Sequence, residues 1–230
     1  MKKYKHIYFD LDRTLWDFES NSEDTFRDIL KKYDLLSKLG SFEKFLTTYR
    51  KFNDRLWHQY RDKLIEKKIL SWKRFYLTLL EFGINDIDLS KEIGEDYLTI
   101  SKTKKKLFPF THEILRYLHE KYSLHIITNG FEEVQFSKLD NCNLRKYFTE
   151  IITSEKVGVQ KPNPEIFEFA LHTAKAKREE SLMIGDDVEV DIKGAMNQGI
   201  DQVHFNFIKQ TARTKATYEI TSLIELKEIL

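Results

Sequence analysis

Four short segments of this sequence gather side chains that can do chemistry. Asp10 and Asp12 stand two positions apart, directly after the apolar run at residues 6–9. Two carboxylates so close at a strand end are costly to bury unless a cation or a proton compensates. Read alone, the same pair is an ordinary acidic loop or a helix N-cap. Thr128, Asn129 and Gly130 follow a second apolar run. A hydroxyl and small residues at a strand-to-helix turn can present O–H and N–H groups to a phosphate, or form a plain turn. Lys161 precedes Pro162, Asn163 and Pro164. The prolines fix the backbone and start a helix, so this lysine is a fixed positive charge rather than a waving surface group. Finally, Asp186, Asp187, Glu189 and Asp191 crowd six positions after the apolar run 182–184. Such carboxylates repel unless a hard cation sits among them, and Mg²⁺ prefers oxygen ligands of this kind.

The elements that must hold these groups are legible in the spacing. Short apolar runs at 6–9, 124–127, 151–152, 182–184 and 203–205 alternate with helical patterns at 111–121, 164–174 and 189–197. That alternation implies an α/β fold, a Rossmann-like doubly wound parallel sheet covered on both faces. Ligands of such sheets bind beyond the carboxyl ends of the strands, where all four acidic, hydroxyl and lysine segments lie. Between the first two runs the chain has no proline from 17 to 103, and its apolar residues recur at helical steps: Phe42, Phe45, Leu46, Tyr49 and Phe52, then Trp72, Phe75, Tyr76, Leu79 and Leu80. Ser41 and Ser71 suit N-caps and Gly83 a helix stop. The expected organisation is a discontinuous core, 1–15 with 104–230, carrying an all-helical insertion at 16–103. Trp57, Tyr60 and Trp72 are expected to pack within it. Trp16, beside the first acidic pair, is the candidate for stacking on a nucleobase.

Composition narrows the function. Lys and Arg number 38 against 37 Asp and Glu, a net charge of +1, which provides no general footprint for a nucleic acid polymer. The single cysteine, Cys142, forms no intramolecular disulfide or Cys-rich zinc site and suits a reducing cytoplasm. No apolar run reaches the ~18 residues of a membrane span. The seven histidines show no metal-ligand spacing.

Taken together, Asp10-Leu11-Asp12-Arg13-Thr14, Thr128-Asn129-Gly130, Lys161-Pro162 and Gly185-Asp186-Asp187 with Asp191 resemble the four motifs of haloacid dehalogenase-like phosphohydrolases, over essentially the whole chain. The insertion resembles that superfamily's C1-type helical cap. The wording of the first and fourth motifs is similar to a bacterial branch acting on pyrimidine and non-canonical nucleoside 5′-monophosphates. The resemblance implies a phosphomonoester hydrolase in which Asp10 is the nucleophile and Asp12 the general acid and base. It implies Mg²⁺ held by Asp10, the Asp12 carbonyl and Asp186, with Asp187 and Asp191 orienting metal-bound water. Thr14, Thr128, Asn129, Gly130 and Lys161 would bind the phosphate. The expected partner is a small phosphate ester, the chain acting as a monomer or homodimer away from membranes. Phosphoglycolate or a sugar phosphate is the alternative substrate; 2-haloacid dehalogenation and a non-catalytic binding role are the remaining readings. Arg13 departs from the family, where many members carry Gly, and is expected to project toward the cap or its hinge.

Overall fold

Strand order follows from where the apolar runs lie. The computed structural model describes residues 4–209 and 215–230. Its chain divides into two compact units, Met1–Phe18 with Lys105–Leu230, and Glu19–Lys104. Among the described residues the first unit holds six strands: β1 (His6–Phe9), β2 (Ser123–Thr128), β3 (Phe148–Thr153), β4 (Ser181–Gly185), β5 (Asp201–Phe205) and β6 (Tyr218–Ile220). They form one parallel sheet in the order β3-β2-β1-β4-β5-β6. The chain leaves β1 to one side for β2 and β3, then crosses back to β4. The switch point therefore lies beside β1, and Phe9 is in register with Ile126 of β2 and Ile184 of β4. Asp10 is the next residue.

Alternation along β1 divides the core. Ile7 and Phe9 pack with Ile126, Ile184 and Leu115 on one face, while Tyr8 packs with Ile127, Met183 and Phe167 on the other. Both faces being buried explains why the strands read as short continuous apolar runs.

Among the described residues, ten α-helices accompany the sheet. The Glu19–Lys104 unit is built from α1 (Phe18–Lys32), α2 (Phe42–Arg61), α3 (Lys67–Leu80) and α4 (Ile87–Ser101). The sheet is flanked by α5 (Thr111–His119), α6 (Glu132–Asn141), α7 (Ser154–Val157), α8 (Pro164–Thr173), α9 (Lys193–Met196) and α10 (Leu226–Ile229). Ser41 caps α2, its Oγ accepting from the Lys44 N–H at 3.1 Å. Ser71 does not cap: α3 begins four residues earlier, because Leu70 is already buried on its inward face, and the Ser71 hydroxyl donates to the Lys68 carbonyl. The helical unit's core is aromatic, with Phe26 ringed by Phe45, Tyr49, Phe75 and Tyr97 at centroid distances of 4.5–6.4 Å.

Two elements depart from the sequence reading. The expected helix at 189–197 opens as a π-helical turn, Val188–Ile192, before α9. The helix α6 and the short edge strand β6 carry patterns too weak to be expected. The inward side of α6 mixes Val134 and Leu139 with Gln135 and Lys138, so no apolar stripe marks it. Among the described residues no helix is long and apolar enough to cross a membrane.

Candidate active site

The ends of β1, β2 and β4 meet the loop before α8 at one place. Asp10 follows β1 and is buried, its main-chain N–H donating to the Ile184 carbonyl at 2.9 Å. Lys161, 1% exposed, sends its ammonium to Asp10 Oδ1 at 2.6 Å, to the Ile127 carbonyl at 2.6 Å and to Asp191 Oδ1 at 2.7 Å. The loop before α8 is built to hold it. The Lys161 N–H donates to Asn129 Oδ1 at 2.8 Å and Asn129 Nδ2 donates to the Lys161 carbonyl at 2.9 Å, a reciprocal pair that ties the β2 end to this loop. Asn163 then caps α8 with Pro164 in its first turn, and the Lys161–Pro162 peptide bond is cis. The expectation of a fixed rather than waving lysine describes this geometry.

Asp10, Asp186 and Asp191 each offer a carboxylate oxygen within 4.8 Å of the others. Asp191 reaches the cluster because Gly185 has no side chain: a Cβ there would stand 2.4 Å from Asp191 Oδ2. Asp191 Oδ2 also accepts from the Asp187 N–H at 3.2 Å. Asp187 points elsewhere. It is exposed and caps the π-helical turn, accepting from the Glu189 and Val190 N–H groups at 2.9 and 3.0 Å. Of the two residues read as orienting metal-bound water, only Asp191 has its carboxylate in the cluster.

Electrostatics register the crowding. Burial pushes the Asp10 carboxyl up to about 7; Lys161 opposes this, and the charges of Asp191 and Asp12 add to it. Burial first, then the charges of Asp191 and Asp10, raises Asp186 well above the carboxylate range, with Arg13 opposing. Asp191 is raised chiefly by burial, against Lys161. Burial disfavours the Lys161 ammonium, but Asp10 and Asp191 outweigh it and hold the ammonium charged. Three carboxylates against one ammonium leave a deficit of positive charge. Asp191 Oδ1 lies beside Lys161 yet outside hydrogen-bond geometry, so acceptor capacity is left over. A divalent oxygen-seeking cation fits this donor set.

The remaining expected residues are present but engaged. Thr14 is buried and its hydroxyl faces Asp186 Oδ1 at 3.5 Å. Thr128 donates to Gln135 Oε1 at 3.0 Å and accepts from the Gly130 N–H at 3.1 Å. Asp12 is gripped at both oxygens, by Lys138 Nζ at 2.5 Å and Gln135 Nε2 at 3.0 Å. Sequence reading missed Gln135 and Lys138. Their three-residue spacing on a helix was a usable signal, hidden because α6 was not expected.

Trp16 corrects an expectation. Its ring is fully buried, edge-on to Phe18, with the Lys138 ammonium 3.7 Å above its centroid. A ring so enclosed packs against a lysine and is not open to a nucleobase. Arg13, expected to project toward the cap or its hinge, turns to the first residue of α1. It adopts φ 65°, the left-handed region glycine takes freely, and its guanidinium stacks 4.7 Å from the Phe18 ring centroid.

The family described as haloacid dehalogenase-like hydrolase matches residues 7–205. The chain is 30% identical to pyrimidine 5′-nucleotidase YjjG of Escherichia coli, over 99% of this chain and 98% of that protein. It is 29% identical to pyrimidine 5′-nucleotidase PynA of Streptococcus pneumoniae, over 99% and 95%. Among solved structures, the magnesium-bound HAD-hydrolase YfnB of Bacillus subtilis superposes with a TM-score of 0.90 at 26% identity, covering 99% of both chains.

Proposed function

Because this chain belongs to the haloacid dehalogenase-like hydrolase family, we propose that it is a Mg²⁺-dependent phosphomonoester hydrolase acting on nucleoside 5′-monophosphates. The observation that carries the chemistry is the buried Asp10 carboxylate, paired with Lys161 at 2.6 Å and gathered with Asp186 and Asp191 within 4.8 Å. The substrate class rests on the full-length similarity to two pyrimidine 5′-nucleotidases. The magnesium-bound YfnB structure supports the choice of cation.

Asp10, Asp186 and the Asp12 carbonyl would hold Mg²⁺, which when bound supplies charge neutralisation for the meeting of two anions. Asp191 borders that place and braces Lys161. Asp10 attacks phosphorus, the ester P–O bond breaks, and the leaving oxygen takes a proton from Asp12. A water then bonds to phosphorus while giving its proton to Asp12, and the Asp10–phosphorus bond breaks. Lys161 offers its ammonium to the phosphoryl oxygens as their charge redistributes, joined by Thr128 and the N–H groups of Asn129 and Gly130. For this, the Thr128 hydroxyl and the Gly130 N–H must exchange their present partners for phosphate. Thr14 steadies Asp186. Dehalogenation is disfavoured because a leaving halide needs no proton, whereas Asp12 is elaborately held.

The test is phosphate release from pyrimidine nucleoside 5′-monophosphates, phosphoglycolate and a sugar phosphate, with Mg²⁺ and with EDTA. We expect kcat/KM highest on the nucleotides and no turnover in EDTA. A higher value on phosphoglycolate or the sugar phosphate would reassign the substrate. Undiminished turnover in metal-free protein would overturn the chemistry.

A further inference from the structure

We infer that Gln135 and Lys138 are positioning residues for Asp12, setting the pose of the carboxyl that gives and takes the proton; the inference rests on the phosphatase reading above. Both lie on α6, three residues apart and so on one face of the helix. One grips Asp12 Oδ2 through Nε2 at 3.0 Å and the other grips Oδ1 through Nζ at 2.5 Å. A carboxyl held at each oxygen cannot turn about its terminal torsion, which is otherwise broad and soft. Each oxygen keeps a second acceptor position, so the grip leaves room for the travelling proton. The Asp12 side chain is 25% exposed, whereas that of Lys138 is 4% exposed. The grip thus comes from the buried side and leaves the other side open.

The two grips are themselves held. The Lys138 ammonium lies 3.7 Å over the Trp16 ring and 5.8 Å from that of Phe18, a cation–π floor that restrains a long flexible side chain. Burying a lysine is expensive, and this one is spent on a partly exposed partner. Until phosphate takes the Thr128 hydroxyl, Gln135 is also fixed at its other end, because its Oε1 accepts from that hydroxyl at 3.0 Å. Gly130 makes that pose possible: a Cβ there would stand 2.2 Å from Gln135 Nε2. Before phosphate binds, Gln135 therefore links the turn read as phosphate-binding to the acid and sets the two in register.

The experiment compares two leaving groups in Lys138→Met, Lys138→Arg and Gln135→Met with Mg²⁺ present. p-Nitrophenolate leaves without a proton, whereas a nucleoside alkoxide needs one. On p-nitrophenyl phosphate, Lys138→Met should keep a rapid burst of about one product per site, then turn over slowly because water attack still needs Asp12. On a nucleoside 5′-monophosphate it should show no burst, with kcat down roughly 10- to 100-fold and KM little changed. Gln135→Met should follow the same pattern more weakly, and Lys138→Arg should recover part of the loss. Equal losses on both esters with the burst abolished, or full activity in both Met variants, would overturn the inference. If Lys138→Met does not fold, the arginine and glutamine variants carry the test, with melting temperature recorded for each. A wild-type protein inactive on both esters would instead overturn the phosphatase reading.

Discussion

The two units bury different things. Among the described residues, five Asp, Glu, Lys or Arg side chains are buried, and four of them, Asp10, Lys138, Lys161 and Asp191, lie in the α/β unit within one site. The fifth, Arg74, is alone in the helical unit, surrounded by the rings of Tyr49, Phe75 and Tyr97 and hydrogen-bonded to Asn53 Oδ1 at 3.0 Å. Burying charge is expensive in either place. In the α/β unit the charges face one another, and at the cluster of Asp10, Asp191 and the half-buried Asp186 three carboxylates meet one ammonium, that of Lys161. In the helical unit the single cation is packed among aromatic faces. Unbalanced, interlocked charge is what the proposed chemistry requires, while a lone cation stacked on rings requires only packing.

The largest expected effect tests the first half of that contrast. Asp10→Asn should cut kcat by roughly four orders of magnitude or more, since the amide is a very poor nucleophile. Its metal-free melting temperature at pH 8 should not fall, because the native carboxylate resists ionisation where it is buried. A matching fall in stability would make Asp10 a structural residue. Next, Phe75→Ala should remove roughly 3–5 kcal/mol of stability, as truncation of a core ring does, because its ring lies 5.4–5.5 Å from those of Tyr49 and Tyr97. Thermal unfolding read by circular dichroism would show this, and a change under 1 kcal/mol would mean the aromatic core is loosely packed.

His125 sharpens the comparison within the α/β unit, being a buried titratable group outside the site. Burial, then the charge of His6, pushes its imidazole down to about 4 from 6.5. Between those values the unfolded chain binds more protons than the folded one. Stability is therefore full above about pH 6.5 and lost as the pH falls toward 4, by roughly 3 kcal/mol at ~1.36 kcal/mol per unit. His125→Phe should flatten melting temperature over that window, and parallel curves for variant and wild type would exclude His125 as the source. The smallest effect belongs to Arg74→Met, which should cost under about 1.5 kcal/mol and leave kcat and KM on nucleotides unchanged. A raised KM there would make Arg74 a binding group and break the contrast.

Local features are readable in the sequence wherever one segment carries its own signal. Asp10, Asp186 and Lys161 announced themselves by following apolar runs or preceding prolines, and β1 stands at the four residues expected, His6–Phe9. Ser41 was readable as a cap, while Ser71 was not, because the stripe of α3 continues upstream of it. The failures share a cause. The helix α6 buries Gln135 and Lys138 where a sequence pattern expects apolar residues, so the element that holds Asp12 left no amphipathic trace. Trp16 looked like an accessible ring only because its neighbour in space, Lys138, is more than a hundred residues away.

By itself, then, the sequence determined the parallel α/β scaffold and the residue types at the strand ends, since periodicity and turn chemistry act over a few residues. Tertiary structure alone decided that Asp191 and not Asp187 joins the carboxylate cluster, that Arg13 stacks on Phe18, and that Lys138 and Gln135 close on Asp12. Those outcomes depend on which side chains the sheet order and helix packing bring within 3 to 5 Å, and no local pattern encodes that.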